Sequence, residues 1–206
     1  MTEEKNLQLE RLVFFTDAVV AIAITLLALE LKIEPENENL TYINIASNWT
    51  KFAAFFLSFF NIAIFWKIHH EFFRYIKAVD NKIFWYNIAW LLFIALLPFT
   101  TSLISSHFDN VTAMSLYCID TFAITFFQNQ IWDYVSERPS FTKEELSQKT
   151  NYDNRVACNV AMLNGLLAVA LSFLLPIAAF IVLLIRFPMI LISARIFKYD
   201  KKKKTH

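Results

Sequence analysis

The heptapeptide Arg11-Leu12-Val13-Phe14-Phe15-Thr16-Asp17 runs straight into the apolar segment AVVAIAITLLALEL. A cation and a carboxylate therefore frame the entrance of a stretch that reads as a membrane helix. A carboxylate is costly in hydrocarbon and turns toward protein or water, so Asp17 is a functional candidate by default. It lies ~9 Å into the span at 1.5 Å per residue. A second apolar stretch ends in Phe65-Trp66-Lys67-Ile68-His69-His70-Glu71, which returns an indole donor and an imidazole to a similar depth. A Thr16–Asp17–Trp66–His69 network would satisfy the carboxylate away from lipid. The competing reading leaves Trp66 and His69 as interfacial residues at the headgroup level. His69-His70-Glu71 is no metal site, because adjacent residues on a helix point in different directions.

Beyond Asp17, branched apolar residues recur in steps of four and three. At about 100° per residue, Ile22, Leu26 and Leu29 share one stripe, with Thr25 at its edge, and Asp17 lies well to one side. If Asp17 faces protein, the stripe faces away from that contact, toward lipid or toward a central axis. Periodicity alone does not choose between a lipid-facing helix and a pore wall.

These residues need helices to position them, and the composition supplies helices. Hydrophobic residues make up 57% of the chain, too many for a soluble domain of this length. Six apolar spans are read, at roughly 12–31, 52–69, 83–104, 111–132, 156–175 and 177–195, each long enough for a hydrocarbon core of ~30 Å. The fold class is thus an all-α membrane protein with six transmembrane helices. Residues 1–197 form one six-helix transmembrane unit and 198–206 a basic tail. The polar, acidic N-terminus and the lack of a small-residue cleavage site argue against a cleaved signal peptide. Residues 156–197 are too long for one crossing, and Pro176 marks the break between the last two spans. Arg186 is expected to snorkel from a short sixth helix to the interface; the alternative is a buried arginine paired with a neighbouring helix.

The formal net charge of +1 hides a strong asymmetry. With six spans, one side carries Lys5, Arg11, Lys67, Arg74, Lys77, Lys82, Arg138, Lys143, Lys149, Arg155, Lys198 and Lys201 to Lys204. The other side carries Lys32 and Lys51 beside the acidic run Glu34-Pro35-Glu36-Asn37-Glu38. The positive-inside rule then places both termini in the cytoplasm. The lysine-rich tail reads as a topology determinant touching anionic lipid rather than a nucleic-acid patch.

Several function classes drop out. The chain has one glycine, Gly165, so neither a glycine-rich phosphate loop nor a backbone-carbonyl filter of the TVGYG type is available. Side chains must line any ion path. Cys118 and Cys158 lie in apolar spans without metal-ligand spacing and read as packing residues. No cofactor is expected.

Arg11-x-x-x-Phe15-Thr16-Asp17 followed by AVVAIAIT, together with Trp66-x-x-His69, resembles the transmembrane protein 175 family of potassium channels. The family's motif usually has serine where Thr16 stands; threonine keeps the hydroxyl. The resemblance implies first helices arranged around a central pore, with an apolar constriction on Ile22, Leu26 and Leu29 and Thr25 as the nearby hydroxyl. It implies that Arg11, Phe15, Thr16, Asp17, Trp66 and His69 hold that helix at the correct rotation. Only one copy of the motif occurs, as in the single-repeat prokaryotic form. The implied protein is a homotetramer of the prokaryotic plasma membrane, multi-pass, permeable to potassium or other monovalent cations.

The expected function is therefore a leak-type, potassium-permeable cation channel that closes by dewetting at its apolar rings. Glu30, Glu34, Glu36 and Glu38 would concentrate cations at the outer mouth, or simply be solvated. A proton-coupled transporter using Asp17, Asp120 and His69 is the alternative. A membrane enzyme is disfavoured, because outside Asp17 and His69 the spans offer few polar groups: Asp120, Asn129, Asn159 and Asn164.

Overall fold

The computed structural model describes residues 2–32 and 41–196, with side-chain surroundings for all of these except 2–6, 187 and 191–196. The glutamates at 34, 36 and 38 and the lysine tail lie outside the described residues. The described chain is helical: α1 (Thr2–Leu29), α2 (Tyr42–Ser47), α3 (Trp49–Tyr75), α4 (Asn81–Ser106), α5 (Val111–Ser136), α6 (Gln148–Ser172) and α7 (Pro176–Ile196). Leu7–Leu29 of α1 and the whole of α3, α4, α5 and α6 are long and apolar enough to cross a membrane. In α7 the corresponding apolar stretch, Pro176–Arg186, is shorter.

The helix starts follow from local side chains that satisfy the unpaired N–H groups of a first turn. Asp80 accepts from the Ile83 N–H at 2.8 Å, Asn110 from Thr112 and Ala113, and Ser147 from Thr150. Pro176 opens α7, where its missing N–H costs nothing. Pro98 and Pro188 both sit inside helices. Just past Pro98 the Thr101 hydroxyl folds back onto the Leu97 carbonyl at 2.6 Å.

Consecutive helices pack side by side, α3 on α4, α4 on α5, α5 on α6 and α6 on α7, while α1 lies against α3 and α4. The main core runs through this bundle and includes Leu27, Ile62, Trp90, Ile94, Leu97, Tyr117 and Ile124. Only 28% of the most apolar window of α1 is buried, against 56% for α5, so α1 is an edge helix with one long face open. Its buried residues are Leu12, Thr16, Val20, Ala23 and Leu27, a repeat of four and three that packs one stripe inward.

The linkers 76–80 and 137–147 meet at one end of the bundle. An isolated bridge joins Ile76 and Thr142, Lys77 N–H donates to Phe141 O at 2.9 Å and Lys143 N–H to Tyr75 O at 2.9 Å. The first turns of α1 lie at this same end, where Gln8 and Arg11 share a groove with Asp80 and Asn81. Arg11, Arg74, Lys77, Lys82, Arg138 and Lys143 thus collect at a basic end. At the other end Lys51 Nζ donates to the Lys32 carbonyl at 2.6 Å, tying the chain just past α1 to α3.

Arg186 departs from the expectation of a snorkelling side chain. It is 1% exposed, because α7 continues through Pro188 to Ile196 and leaves Arg186 mid-helix rather than near an end. Its Nε donates to Asn164 Oδ1 at 3.1 Å, its guanidinium lies 5.5 Å from the centroid of Phe65, and Asn164 Nδ2 in turn donates to Val182 O at 2.9 Å. Gly165 makes room for it: a Cβ there would stand 3.3 Å from Arg186 Nη2 and 3.1 Å from Phe122 Cδ2.

Candidate functional site

The site is the contact of α1 with α3 and α4. Thr16 and Asp17 follow one another on α1 and so project about 100° apart, which lets them reach different helices. Asp17 turns to α3, where the Trp66 indole N–H donates to its Oδ1 at 2.8 Å. Thr16, fully buried, turns to α4, where Asn87 Nδ2 donates to its Oγ1 at 2.8 Å. Asn87 Oδ1 then meets His69 Nε2 at 2.6 Å, closing a triangle of α1, α3 and α4. With the Asn87 amide donating to Thr16, its oxygen accepts, so the His69 proton sits on Nε2. The imidazole is clamped between the Phe73 and Trp90 rings, each 4.3 Å away centroid to centroid.

The expected residues therefore meet, but as two arms rather than one chain. Trp66 reaches Asp17 directly, whereas His69 reaches Thr16 only through Asn87. The sequence reading does not single out Asn87. It is an amide alone in the apolar run WYNIAWLLF, and a lone polar residue inside a span is itself a signal of an interior hydrogen bond. Arg11 and Phe15 stay on the exposed side of α1 and line the groove shared with Val79, Asp80, Asn81 and Phe84.

Anchoring Thr16 and Asp17 inward fixes what α1 presents outward. Ile22, Leu26 and Leu29 are 60%, 41% and 63% exposed, and Thr25 is exposed beside them. The Thr25 hydroxyl donates to the Ile22 carbonyl at 2.8 Å, which commits its proton to the helix and leaves its oxygen as an acceptor on the open face.

Asp120, the remaining member of the relay considered above, lies elsewhere. Its Oδ2 accepts from Thr100 at 2.7 Å and its Oδ1 is buried without a partner; no hydrogen bond among the described residues links it to His69 or Asp17. A separate polar cluster ties α3, α4 and α5 through Ser58, Thr101, Tyr117 and Asn61, at distances of 2.7–3.2 Å. Among the described residues no group of three His, Cys, Asp or Glu side chains is placed to hold a metal ion.

Residues 11–98, which contain every residue of this site, match the family model described as "Endosomal/lysosomal potassium channel TMEM175". The chain is 32% identical over 133 residues to a protein of Chamaesiphon minutus named as a potassium channel, covering 61% of this chain and 65% of that one. It is 27% identical over 144 residues to a Danio rerio protein named "Endosomal/lysosomal proton channel TMEM175", covering 68% of this chain and 28% of the other. The chain thus spans less than two-thirds of the length of either relative. Its fold matches the crystal structure of a lysosomal potassium-selective channel TMEM175 homolog from Chamaesiphon minutus with a TM-score of 0.76, at 26% identity, over 90% of this chain and 98% of that one.

Proposed function

We propose, of a chain that resembles the TMEM175 family of potassium channels in sequence and in fold, that it is a potassium-permeable, leak-type cation channel of a prokaryotic plasma membrane. The observation that carries this reading is the division of α1 into two faces. One face is locked to α3 and α4 by Asp17–Trp66 and Thr16–Asn87–His69, and the other leaves Ile22, Thr25, Leu26 and Leu29 uncovered. In a homotetramer with four copies of α1 around an axis, Ile22 forms the narrowest ring, backed by Leu26 and Leu29. Such rings hold a pathway dry when narrow and conduct once they widen and hydrate. Thr25 adds a ring of hydroxyl oxygens suited to a cation. Thr16, Asp17, Trp66 and His69 act as supports for the rotation of α1, with Asn87 as the link between two of them. Both termini lie on the cytoplasmic side, with the basic end of the bundle.

The naming of the Danio rerio relative as a proton channel favours one second reading, in which protons are the permeant ion or share the path. The test is flux through purified protein in liposomes under K⁺, Na⁺ and H⁺ gradients, for wild type and Ile22→Asn. Potassium-driven flux that rises or loses K⁺/Na⁺ preference in Ile22→Asn supports the channel and its constriction. Unchanged flux in that variant removes Ile22 from the pore. Flux driven only by protons selects the second reading.

A further inference from the structure

Away from α1, a cavity of about 300 Å³ lies between α3, α5, α6 and α7. Most of its wall is hydrocarbon, from Ile64, Ile68, Phe72, Ala157, Ala161 and Ile190. Its polarity is graded along the bundle. Helices α3 and α5 run toward the basic end and α6 runs away from it, which puts Lys67, Glu71 and Asn154 at the basic mouth. Ile64, Thr125 and Ala161 lie deeper, toward the middle of the bundle.

The mouth holds unused donors. Lys67 is exposed, and among the described residues the ion pairs are those of Arg74 and Arg155, none involving Lys67. Asn154 Nδ2 is buried and lacks an acceptor. The carboxylate at the mouth, Glu71, is engaged by Arg74 at 3.6 Å. What remains is a lysine and an amide N–H above an apolar recess.

We infer that this cavity is a binding site for an anionic phospholipid of the leaflet facing the basic end, with one acyl chain in the recess and the phosphate at Lys67 and Asn154. A lipid of that leaflet places its headgroup at the interface and its chain toward the bilayer centre, the same order of polarity that the cavity has. A soluble anion would neutralise Lys67 but leave the apolar depth unfilled. A zwitterionic lipid would fill the depth but bring no net charge to the mouth. A cation beside a membrane surface favours anionic lipid by about fivefold, and the volume is at the small end of the ~300–1,000 Å³ range of ligand sites, which suits a single chain. Lys67 follows Trp66 on α3, so the lipid would rest against the helical turn that also carries the hydrogen-bond donor to Asp17.

Native mass spectrometry of the purified full chain, with phosphatidylglycerol and phosphatidylcholine of identical acyl chains at equal amounts, tests the site. The expected result is one phosphatidylglycerol per subunit, retained in preference to phosphatidylcholine. Lys67→Gln is expected to lower that preference about fivefold. Ala161→Phe, which fills the deep end, is expected to remove bound lipid of both kinds, and Ala157→Leu serves as a milder filling variant should Ala161→Phe fail to fold; melting temperatures without added lipid identify such a failure. Equal retention of the two lipids by the wild type overturns the proposal, as does no retention. A preference that Lys67→Gln abolishes while neither filling variant changes the lipid count places the lipid on the surface and also overturns it.

Discussion

Trp66 and Asp17 lie 49 residues apart in the chain and 2.8 Å apart across the α1–α3 contact. Among the described residues, the indole N–H is the one side-chain donor that reaches the carboxylate, and it comes from the second half of a helix running antiparallel to α1. The pair is half-exposed at the indole, with Trp66 at 39%, so its strength is that of a partly screened, charge-assisted hydrogen bond.

Trp66→Phe keeps an aromatic ring and removes the donor. A hydrogen bond to a charged group contributes ~1.5–3 kcal/mol when buried, and partial exposure brings the expected loss to the lower end of that range. Asp17→Asn should cost less, since an amide oxygen still accepts. A double-mutant cycle by denaturant or thermal unfolding in detergent measures the coupling; a coupling indistinguishable from zero would mean that the pair does not hold α1.

Asn87→Leu strips partners from Thr16 and His69 at once, in a position with no exposed surface. Each buried polar group left unpaired costs ~1–3 kcal/mol, so a total of about 2–6 kcal/mol is expected, more than for Trp66→Phe. The order of the two melting temperatures checks it.

Gly165→Ala is expected to destabilise by ~1–3 kcal/mol, the usual cost of overpacking, because its Cβ would press on Phe122 and on the Arg186 guanidinium. Arg186→Met replaces the rigid planar group with a flexible chain. The combined variant should therefore recover part of the Gly165→Ala loss, whereas strictly additive melting temperatures would show that Arg186 does not set the glycine requirement.

Asp80 offers a pH test outside the spans. Burial pushes its carboxyl pKa upward, but hydrogen bonds from the Ile83 N–H and the Tyr134 hydroxyl outweigh it and leave the pKa below its ordinary value. A carboxylate with a depressed folded-state pKa contributes stability that is fully present above its unfolded pKa and is lost as pH falls through the folded one. Wild type should therefore lose melting temperature on acidification below the normal carboxylate range, and Asp80→Asn should lose less over the same interval. Equal acid sensitivity of the two proteins would contradict this account of the α4 cap.

On the open face of α1, which we propose lines the conducting path, Thr25→Val keeps the shape of the side chain and deletes the oxygen acceptor. Reduced cation flux in liposomes is the expected outcome, with the melting temperature changed little because the Thr25 hydroxyl bonds only within its own helix. Flux equal to wild type would show that cations pass this level without the hydroxyl.

The two faces of α1 are legible in the sequence, because a 3.6-residue repeat and one aspartate suffice to say which side turns inward. The Trp66 partner is legible too, since an antiparallel return fixes depth to within a turn. Asn87 is not, because depth says nothing about which of several neighbouring helices an imidazole will face. Arg186 escapes for a different reason. An arginine in an apolar span reads as a snorkelling residue, but Asn164 on α6 and the space left by Gly165 receive the guanidinium inside the bundle. The short α2 leaves no periodic signal at all, having only six residues.

The two ties between α1 and α3 sit at different levels, Trp66 to Asp17 and Lys51 to the Lys32 carbonyl, with about 15 residues of mostly helical chain between them, or ~22 Å. A rod pinned at two levels to the same neighbour cannot slide along it like a piston without breaking a pin. It can still swing together with that neighbour. If the open face of α1 changes its outlook, the motion is therefore one that α1 shares with α3 and with α4, to which Asn87 ties Thr16, and a crosslink between α1 and α3 should leave it intact where one between α3 and α5 would arrest it.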